Sequence, residues 1–499
     1  MISLRFESVW IMKSNIYVSN CIVCKGYGFA SLPMTIRLDT QDQTSIISVL
    51  DPVRKQSNAK EMQDPLRNLP KCWEPAIECA SRDRLRDLQQ SFFAATLDRT
   101  RGVQFYRSRL EERGLDPASM TLDDLPRLDF TTKDDLRTGY PFGFLACDSG
   151  DLMEVHGSSG TTGKPVIVGY TASDLQTWKT VMARTMAASG VTRADVIQNA
   201  YGYGLFTGGL GFHYGAREIG ANVIPVSAGR TDLQLLMAED LGATVLCCTP
   251  SFALYLAGEA EALGRSLKNT KLRIGLFGAE PWSEEMRDRI EAITGLRAYD
   301  VYGLSEMIGP GVAYECFVRN GMHINEDAFF PEVIDPETGR PAPDGEIGEL
   351  VLTALRRQAI PLIRYRTGDL TRFLPGDCEC GRTLRRMQRI IGRSDDMLIV
   401  AGVNFYPSQV ESLMLRIAGT TGHYQIWLWT EEVRDYIEVR IEAEQGIESA
   451  QRDAVERDVA ACLRDNVGIR MGVKVVDPGS LDRSVMGKAK RVFDNRSKR

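Results

Sequence analysis

The chain has 499 residues, of which 43% are hydrophobic and 25% charged, and its formal net charge is −6. A chain of this length exceeds one compact core and predicts two or three domains of ordinary globular composition. The weakly acidic balance gives no reason to expect a nucleic acid or a membrane as partner, and no apolar run of about 18 residues predicts a membrane-spanning helix. The 11 cysteines, an odd number scattered along the chain, favour a reducing cytoplasm over a secreted disulfide scaffold.

Residues 1–68 show no clear periodicity and no signal-peptide pattern. We expect either a flexible extension or sequence upstream of a later start such as Met62, and we assign it no function. Cys21 and Cys24 form a CxxC pair, but the unpatterned segment around them gives little support for a redox or metal site.

Residues 69–393 are predicted to form a large α/β domain. Helices are predicted at Ser81–Arg101, Leu175–Ser189, Leu233–Leu241 and Ser283–Thr294. Short apolar runs alternate with helical segments and predict strands at Val196–Gln198, Val223–Val226, Thr244–Cys248, Ile274–Phe277 and Tyr299–Tyr302. This alternation is typical of βαβ units and a parallel sheet. Past Gly345 the chain becomes rich in strands, which indicates a small antiparallel subdomain.

Residues 394–499 are predicted to form a small α+β domain. Its predicted elements are paired strands at Tyr424–Thr430 and Tyr436–Glu442, a helix at Ser449–Asn466 and a final strand at Val473–Val476.

The first chemical signal is the loop GSSGTTGKP at Gly157–Pro165. Its glycines let the backbone approach a ligand, and its hydroxyls, backbone amides and lysine suit a polyphosphate. It is not a Walker A loop, because Ser158 and Pro165 stand where that motif needs glycine and a hydroxyl residue. A flexible surface loop is the alternative interpretation.

Four further segments follow in order: GAEP (Gly278–Pro281), YDVYGLSE (Tyr299–Glu306), YRTGD (Tyr365–Asp369) and GRSDDMLIVAGVNFYPSQVE (Gly392–Glu411). With the glycine-rich loop, they occur in the order of the acyl-adenylate-forming superfamily. From about Trp73 to Asp494 the chain most closely resembles the phenylacetate–CoA ligase branch. The resemblance implies an adenylation domain at 69–393, a small mobile domain at 394–499, and an ATP-dependent ligase that joins an aryl acid to coenzyme A through an acyl-adenylate.

The resemblance also implies which residues bind ATP. The phosphates would contact Ser158, Ser159, Gly160, Thr161, Thr162, Gly163 and Lys164. The adenosine would lie among Gly278, Ala279, Glu280, Pro281, Asp300, Tyr302, Gly303, Asp369 and Arg393. Within this set, Asp300 would bind the adenine amino group, Tyr302 would stack on the ring, and Asp369 would accept hydrogen bonds from the ribose.

The catalytic positions implied by the resemblance are Lys164, Glu306 and Lys488. Glu306 would help to hold Mg²⁺, beside Ser305 at the α-phosphate. Lys488, rather than Lys490, would enter from the small domain and bridge the acid and the α-phosphate, where negative charge gathers. Asp395 matches the hinge about which the small domain rotates between adenylation and transfer to CoA.

The acid is expected beside the segment Asn199–Gly215, which follows a predicted strand, where α/β sheets bind ligands. Tyr201 and Phe206 match positions that face the phenyl ring, and Ala279 and Val301 would complete the apolar wall. Aromatic side chains suit an aryl acid. The alternative is that these aromatics only pack the sheet edge.

A further set combines three cysteines and one histidine: Cys316, His323, Cys378 and Cys380. These are the donors of a structural zinc site, although the spacing is not that of a standard finger. Free thiols and a surface histidine remain the alternative.

Three other functions stay open at this point. The adenylate could be handed to a separate carrier protein, or the chain could be a non-catalytic nucleotide-binding regulator or a plain ATPase. Retention of Lys488, Glu306 and the whole phosphate loop disfavours the regulator. A homodimer is left open as the assembly.

Overall fold

The computed structural model describes residues 4–12, 15–23, 31–37, 48–49, 72–158, 165–400, 403–431, 434–481 and 490–496. The chain divides into two compact units, Met1–Leu69 and Pro70–Arg499.

The described residues of the first unit form an antiparallel sheet in the order β1-β2-β3-β4. Its strands are β1 (Leu4–Met12), β2 (Asn15–Val23), β3 (Ser31–Arg37) and β4 (Ser48–Val49). The sequence predicted no regular element here, whereas the β-branched and aromatic residues of the first two strands favour the observed pairing. Cys21 lies in β2, and Cys24 and Met62 lie outside the described residues.

The helices of the second unit follow in chain order as α1 (Pro75–Glu78), α2 (Arg82–Thr100), α3 (Gln104–Glu112), α4 (Lys133–Thr138), α5 (Ala172–Ala188), α6 (Gly208–Ile219), α7 (Thr231–Asp240), α8 (Pro250–Ala262), α9 (Glu284–Thr294), α10 (Pro407–Met414) and α11 (Ser449–Val467). They include all the predicted helices. Ser81 caps α2, because its side chain accepts a hydrogen bond from the Arg84 backbone N–H at 3.3 Å.

The strands of the second unit are β5 (Glu154–Gly157), β6 (Ile167–Tyr170), β7 (Val196–Asn199), β8 (Asn222–Ile224), β9 (Val245–Cys248), β10 (Ile274–Gly278), β11 (Arg297–Leu304), β12 (Gly309–Glu315), β13 (Met322–Ile324), β14 (Phe329–Ile334), β15 (Gly348–Ala354), β16 (Tyr365–Thr371), β17 (Phe373–Leu374), β18 (Arg386–Met387), β19 (Gly392–Arg393), β20 (Leu398–Val400), β21 (Val403–Phe405), β22 (Thr420–Glu431), β23 (Arg434–Ala443), β24 (Gly472–Val476) and β25 (Val492–Asp494).

The main sheet has the order β17-β18-β13-β12-β11-β10-β9-β7-β8 among the described residues. The predicted parallel sheet is confirmed for β8, β7, β9, β10 and β11. From β12 onward the added strands are antiparallel, an extension that the sequence did not predict. The connection from β11 to β12 is too short for the crossover that a parallel neighbour requires.

A separate antiparallel sheet has the order β14-β15-β16-β19. It confirms the predicted antiparallel subdomain, although its first strand begins at Phe329, ahead of Gly345. β16 carries the YRTGD motif and pairs with β19.

The small domain contains the sheet β24-β23-β22-β25, with α10 and α11 against it. β22 and β23 pair antiparallel, as predicted. The prediction that Val473–Val476 is the final strand is wrong, because β25 follows and pairs parallel with β22. Three residues were too short a run to stand out in the basic segment.

Ion pairs join the small domain to the large one. Glu285 on α9 accepts a hydrogen bond from Ser412 at 2.9 Å and pairs with Arg416 at 2.8 Å. Arg289, one helical turn further on, pairs with Glu444 at 2.6 Å. Among the described residues, none of the helices is long and apolar enough to cross a membrane.

Candidate active site

The residues expected around the nucleoside lie where β10 and β11 end. Gly278 pairs with Val301, and a side chain at Gly278 would place its Cβ 2.1 Å from the Val301 carbonyl oxygen, so only glycine fits. The next residue, Ala279, has φ of 70°, a conformation that L-residues seldom adopt and that recurs at functional sites. The GAEP motif is therefore a constrained turn beside the sheet edge.

Asp300, expected at the adenine, is buried and held from two directions. Its Oδ2 accepts a hydrogen bond from Arg389 Nε at 2.8 Å, and its backbone N–H donates to Glu315 Oε2 at 2.8 Å. Arg389 also donates to the Trp282 carbonyl oxygen at 2.6 Å and lies over the Trp282 ring at 4.3 Å. Sequence reasoning missed Arg389 and Glu315, because neither lies in a recognised motif.

Asp369, expected at the ribose, lies between two donors. The Tyr302 hydroxyl donates to its Oδ2 at 2.6 Å, and Arg393 donates to its Oδ1 at 2.9 Å. Burial and the charge of Asp369 raise the pKa of Tyr302, so this hydroxyl remains a donor. Arg393 also pairs with the exposed Asp395, at 2.8 Å. The structure thus joins three predicted nucleotide residues and the predicted hinge in one network.

Ser305 and Glu306 are the residues expected near the phosphates. Ser305 Oγ lies 3.2 Å from the Thr207 hydroxyl, which belongs to the loop before α6. Glu306 is buried and forms an ion pair with Lys133, at 3.1 Å between Oε1 and Nζ. Ser158 is buried and bonded to the Val166 backbone, and the remaining predicted loop residues, 159–164, lie outside the described residues.

Lys133 is a third residue that sequence reasoning missed. It is the first residue of α4, which Thr132 and Asp135 cap reciprocally. Thr131, just before this helix, is bonded to the strand β16 region, because its N–H donates to Arg364 O and its carbonyl oxygen accepts from Arg366 N–H. The capping pattern could have marked the helix, but nothing in the sequence near Lys133 indicates that it meets Glu306.

The predicted acid pocket is only partly assembled. Tyr201 is buried, stacks on Phe212 with centroids 4.8 Å apart, and places its hydroxyl beside Gly278. That hydroxyl has no hydrogen-bond partner among the described residues. Val301 lies at the same strand end. Phe206 is 47% exposed, so the structure leaves it at the rim of this group.

His156, on β5, links that strand to the segment before α6. Its Nδ1 lies 3.2 Å from the Leu205 carbonyl oxygen, and its Nε2 lies 3.1 Å from Glu154. Both ring nitrogens are therefore occupied, which gives His156 a positioning role.

Lys488 lies outside the described residues. Lys490 is exposed, with its ammonium 4.6 Å from the Phe493 ring of the small domain. The next residue, Arg491, is partly buried and pairs with Glu411 on α10; burial lowers its pKa and the charge of Glu280 opposes that shift. The described residues after the predicted lysine thus pack on the small domain.

The four predicted metal ligands come together away from the cleft. Cys316, His323, Cys378 and Cys380 are buried, and their ligand atoms lie within 4.8 Å of one another. The Cys316 and Cys378 sulfurs are 3.7 Å apart, close to the about 3.8 Å between two thiolates on one tetrahedral zinc. His323 Nδ1 lies 3.2 Å from the Leu384 carbonyl oxygen, which leaves Nε2 facing Cys380 at 3.3 Å.

Chemically, the cleft offers a carboxylate for a diol, a carboxylate for an adenine, a buried carboxylate for a hard cation, and an apolar wall for an organic acid. Such a set can bind a nucleotide and an acid side by side.

Comparison with known proteins agrees with this arrangement. Residues 120–354 match the model of the AMP-binding enzyme family, and residues 402–496 match that of the AMP-binding enzyme C-terminal domain. The chain is 45% identical to phenylacetate-coenzyme A ligase of Thermus thermophilus, covering 85% of this chain and 99% of that protein. It is 45% identical to the Escherichia coli enzyme of the same name, covering 84% and 97%.

Among solved structures, 2-hydroxyisobutyryl-CoA ligase with 2-HIB-AMP in the postadenylation state is similar at a TM-score of 0.81 and 26% identity, covering 90% of this chain and 95% of that one. With CoA in the thioesterification state, the same ligase gives a TM-score of 0.64 at 27% identity, again covering 90% and 95%.

Proposed function

Because the chain belongs to the AMP-binding enzymes, and within them to the phenylacetate–coenzyme A ligases, we propose that its substrates are phenylacetate, ATP and coenzyme A. It is an AMP-forming acid–thiol ligase. The overall reaction yields phenylacetyl-CoA, AMP and diphosphate through a bound acyl-adenylate.

In the first step a carboxylate oxygen of the acid attacks the α-phosphorus of ATP, and diphosphate leaves. Two anions meet, so the site needs positive charge more than it needs a base. Lys488 and Lys164 supply that charge from the small domain and the glycine-rich loop. Glu306 has a buried carboxylate and thus suits Mg²⁺, which when bound would neutralise charge on the leaving diphosphate.

The nucleotide is held during this step by residues that are already in place. Asp369 accepts from the ribose hydroxyls while Tyr302 and Arg393 fix its two oxygens. Lys133 balances the charge of Glu306 until the cation binds. The proposal depends mainly on this observation: Asp369 and Glu306 are both held in place by neighbouring side chains. Together they provide an acceptor for a diol and a ligand for a cation in one cleft.

In the second step the CoA thiol attacks the adenylate carbonyl carbon, and AMP leaves. For this the small domain rotates about Asp395 and withdraws Lys488. This chain is more similar to 2-hydroxyisobutyryl-CoA ligase in its postadenylation state than in its thioesterification state. The similarity supports the orientation before rotation for the small domain here. The rotation must break the Glu285–Arg416 and Arg289–Glu444 pairs on α9.

One assay separates this proposal from its rivals. AMP and diphosphate release is measured with ATP and phenylacetate, with and without CoA, and with a carrier protein in place of CoA. Sustained release that needs both phenylacetate and CoA is expected. Release of ADP, or turnover with the carrier alone, would refute it.

The four-ligand cluster supports a second proposal, a structural zinc ion. Three thiolates and one imidazole fill a tetrahedral shell, and no position is left for substrate, so the ion would be structural. The backbone N–H of Arg382 donates to Cys380 Sγ at 3.5 Å, and Leu384 orients the imidazole, as outer partners of zinc ligands do. Protein purified without chelator should contain about one zinc per chain, and less than ~0.2 would reject the site.

A further inference from the structure

Two short connections link the four-ligand cluster to Asp300, the carboxylate expected at the adenine. Cys316 directly follows Glu315, the last residue of β12. Glu315 is buried, pairs with Arg287 through both carboxylate oxygens at 2.8 and 2.9 Å, and accepts the backbone N–H of Asp300 at 2.8 Å. The cysteine is thus one peptide bond from the group that fixes the Asp300 backbone.

The second connection runs through β13 and β18. His323 on β13 pairs with Arg386 on β18. Arg386 donates to the carbonyl oxygens of Pro375 and Asp377, at 2.9 and 3.2 Å, and so fastens the loop that leads into Cys378. Arg389, the side-chain partner of Asp300, lies two residues after β18. The position of this strand therefore decides where the Arg389 guanidinium lies.

Asp300 is therefore held by its backbone from the Cys316 side and by its side chain from the His323 side. Arg389 contributes a hydrogen bond of 2.8 Å to Asp300 and is oriented by the Trp282 carbonyl and ring. The short strands β13 and β18 contribute few backbone pairs of their own. A single ion bound by His323 on β13 and by the cysteines that precede β18 would hold the two strands together in addition to these few backbone pairs.

We propose that the four-ligand metal centre acts as a strut for the adenine pocket, so that metal occupancy sets the affinity for ATP through Glu315, Arg389 and Asp300. This rests on the zinc site proposed above and assigns Arg389 and Glu315 as positioning residues. In the acid pocket, Val301 shares β11 with Asp300, whereas Tyr201 and Phe206 lie between β7 and α6, two elements that take no part in the two connections.

The first test removes zinc from the full chain with a strong chelator, removes the chelator, and measures the ATP and phenylacetate dissociation constants by calorimetry. Loss of the metal should weaken ATP by about 10-fold or more, the range expected when a hydrogen bond to a charged group is lost, and leave phenylacetate within about 2-fold. One equivalent of zinc should restore ATP binding.

Unchanged ATP affinity after complete, verified removal would overturn the strut and leave the zinc site standing. Equal weakening of both ligands would also overturn it, since that is loss of fold. Protein that holds no zinc as purified and takes up none would overturn both proposals.

The second test asks whether the effect passes through Arg389. In Arg389→Ala, ATP binding should already be weak and metal removal should weaken it little further, because coupled sites are not additive. Arg389→Lys should recover part of the affinity. Cys462→Ser, a thiol of α11 outside the cluster, is the matched control and should respond to metal removal as the unaltered chain does. Full additivity between Arg389→Ala and metal removal would refute the path.

Discussion

The proposed nucleoside side of the cleft (Asp300, Tyr302, Asp369) and the proposed acid side (Tyr201, Phe206, Val301) differ in how their polar groups are partnered. On the nucleoside side, both carboxylates carry an arginine, Arg389 or Arg393, at hydrogen-bond distance. On the acid side, the Tyr201 hydroxyl has no partner among the described residues and Phe206 is half exposed. The first side is arranged before its ligand arrives, whereas the second is mainly shape and apolar surface.

The difference follows from what each side must recognise. A ribose and an adenine present fixed donors, so fixed acceptors reduce the ordering cost of binding. A phenyl ring presents an apolar surface, for which directional partners offer little. We therefore expect polar truncations to be costly on the nucleoside side and mild on the acid side.

The largest effect is expected for Lys488, the proposed catalytic lysine. Lys488→Ala should lower acid-dependent exchange of diphosphate into ATP by about 10²–10³-fold, with ATP affinity little changed, because its charge acts mainly in the transition state.

The matched control for that variant is Lys490→Ala. The Lys490 ammonium lies over Phe493 of the small domain, so exchange should stay near the unaltered rate. A reversal of the two results would assign the catalytic role to Lys490.

Asp369→Ala should have the next largest effect. It removes the acceptor of both Tyr302 and Arg393 and should raise KM for ATP by about 10–100-fold, since hydrogen bonds to charged groups contribute about 1.5–3 kcal/mol. KM for phenylacetate, measured at saturating ATP, should not change. Equal increases in both KM values would mean that the two sides do not act separately.

Tyr302→Phe should have a smaller effect of the same kind. It removes one hydrogen bond of 2.6 Å to Asp369, and a rise of about 10-fold in KM for ATP is expected. Steady-state kinetics at varied ATP measure it. An unchanged KM would show that Arg393 alone suffices to hold the carboxylate.

Tyr201→Phe makes the same chemical change on the acid side and should have the smallest effect. Removing a buried hydroxyl without a partner relieves a desolvation cost, so thermal stability should not fall and KM for phenylacetate should stay within about 2-fold. A 10-fold rise in that KM would mean that the hydroxyl contacts the acid, and would remove the contrast between the two sides.

Much of the fold could be predicted from the sequence, because local periodicity and capping decide helices and strands. Leu175–Ser189 and Val196–Gln198 correspond to α5 and β7 within a few residues. The sequence indicates only a glycine- and aromatic-rich binding segment at Asn199–Gly215, yet its second half belongs to α6, Gly208–Ile219. Its glycines lower helix propensity but permit close packing, since a Cβ at Gly215 would lie 2.6 Å from Met182.

The candidate site divides in the same way. Asp300, Tyr302, Asp369 and Arg393 could be named because they stand in ordered motifs. Lys133 and Arg389 could not, since each lies far along the chain from the carboxylate it meets. Their roles depend on the Thr131–Tyr365 bridge and on the β13–β18 pairing, which are long-range contacts.

The sequence by itself determined the family, the order of the motifs and the identity of four candidate metal-ligand side chains, because these depend on residue type and spacing. Only the tertiary structure decided that Cys316 and His323 meet Cys378 and Cys380, and that the same strands carry Glu315 and Arg389 to Asp300. The reason is that a hydrogen bond or a ligand set requires atoms a few ångströms apart, and sheet pairing between distant segments sets those distances.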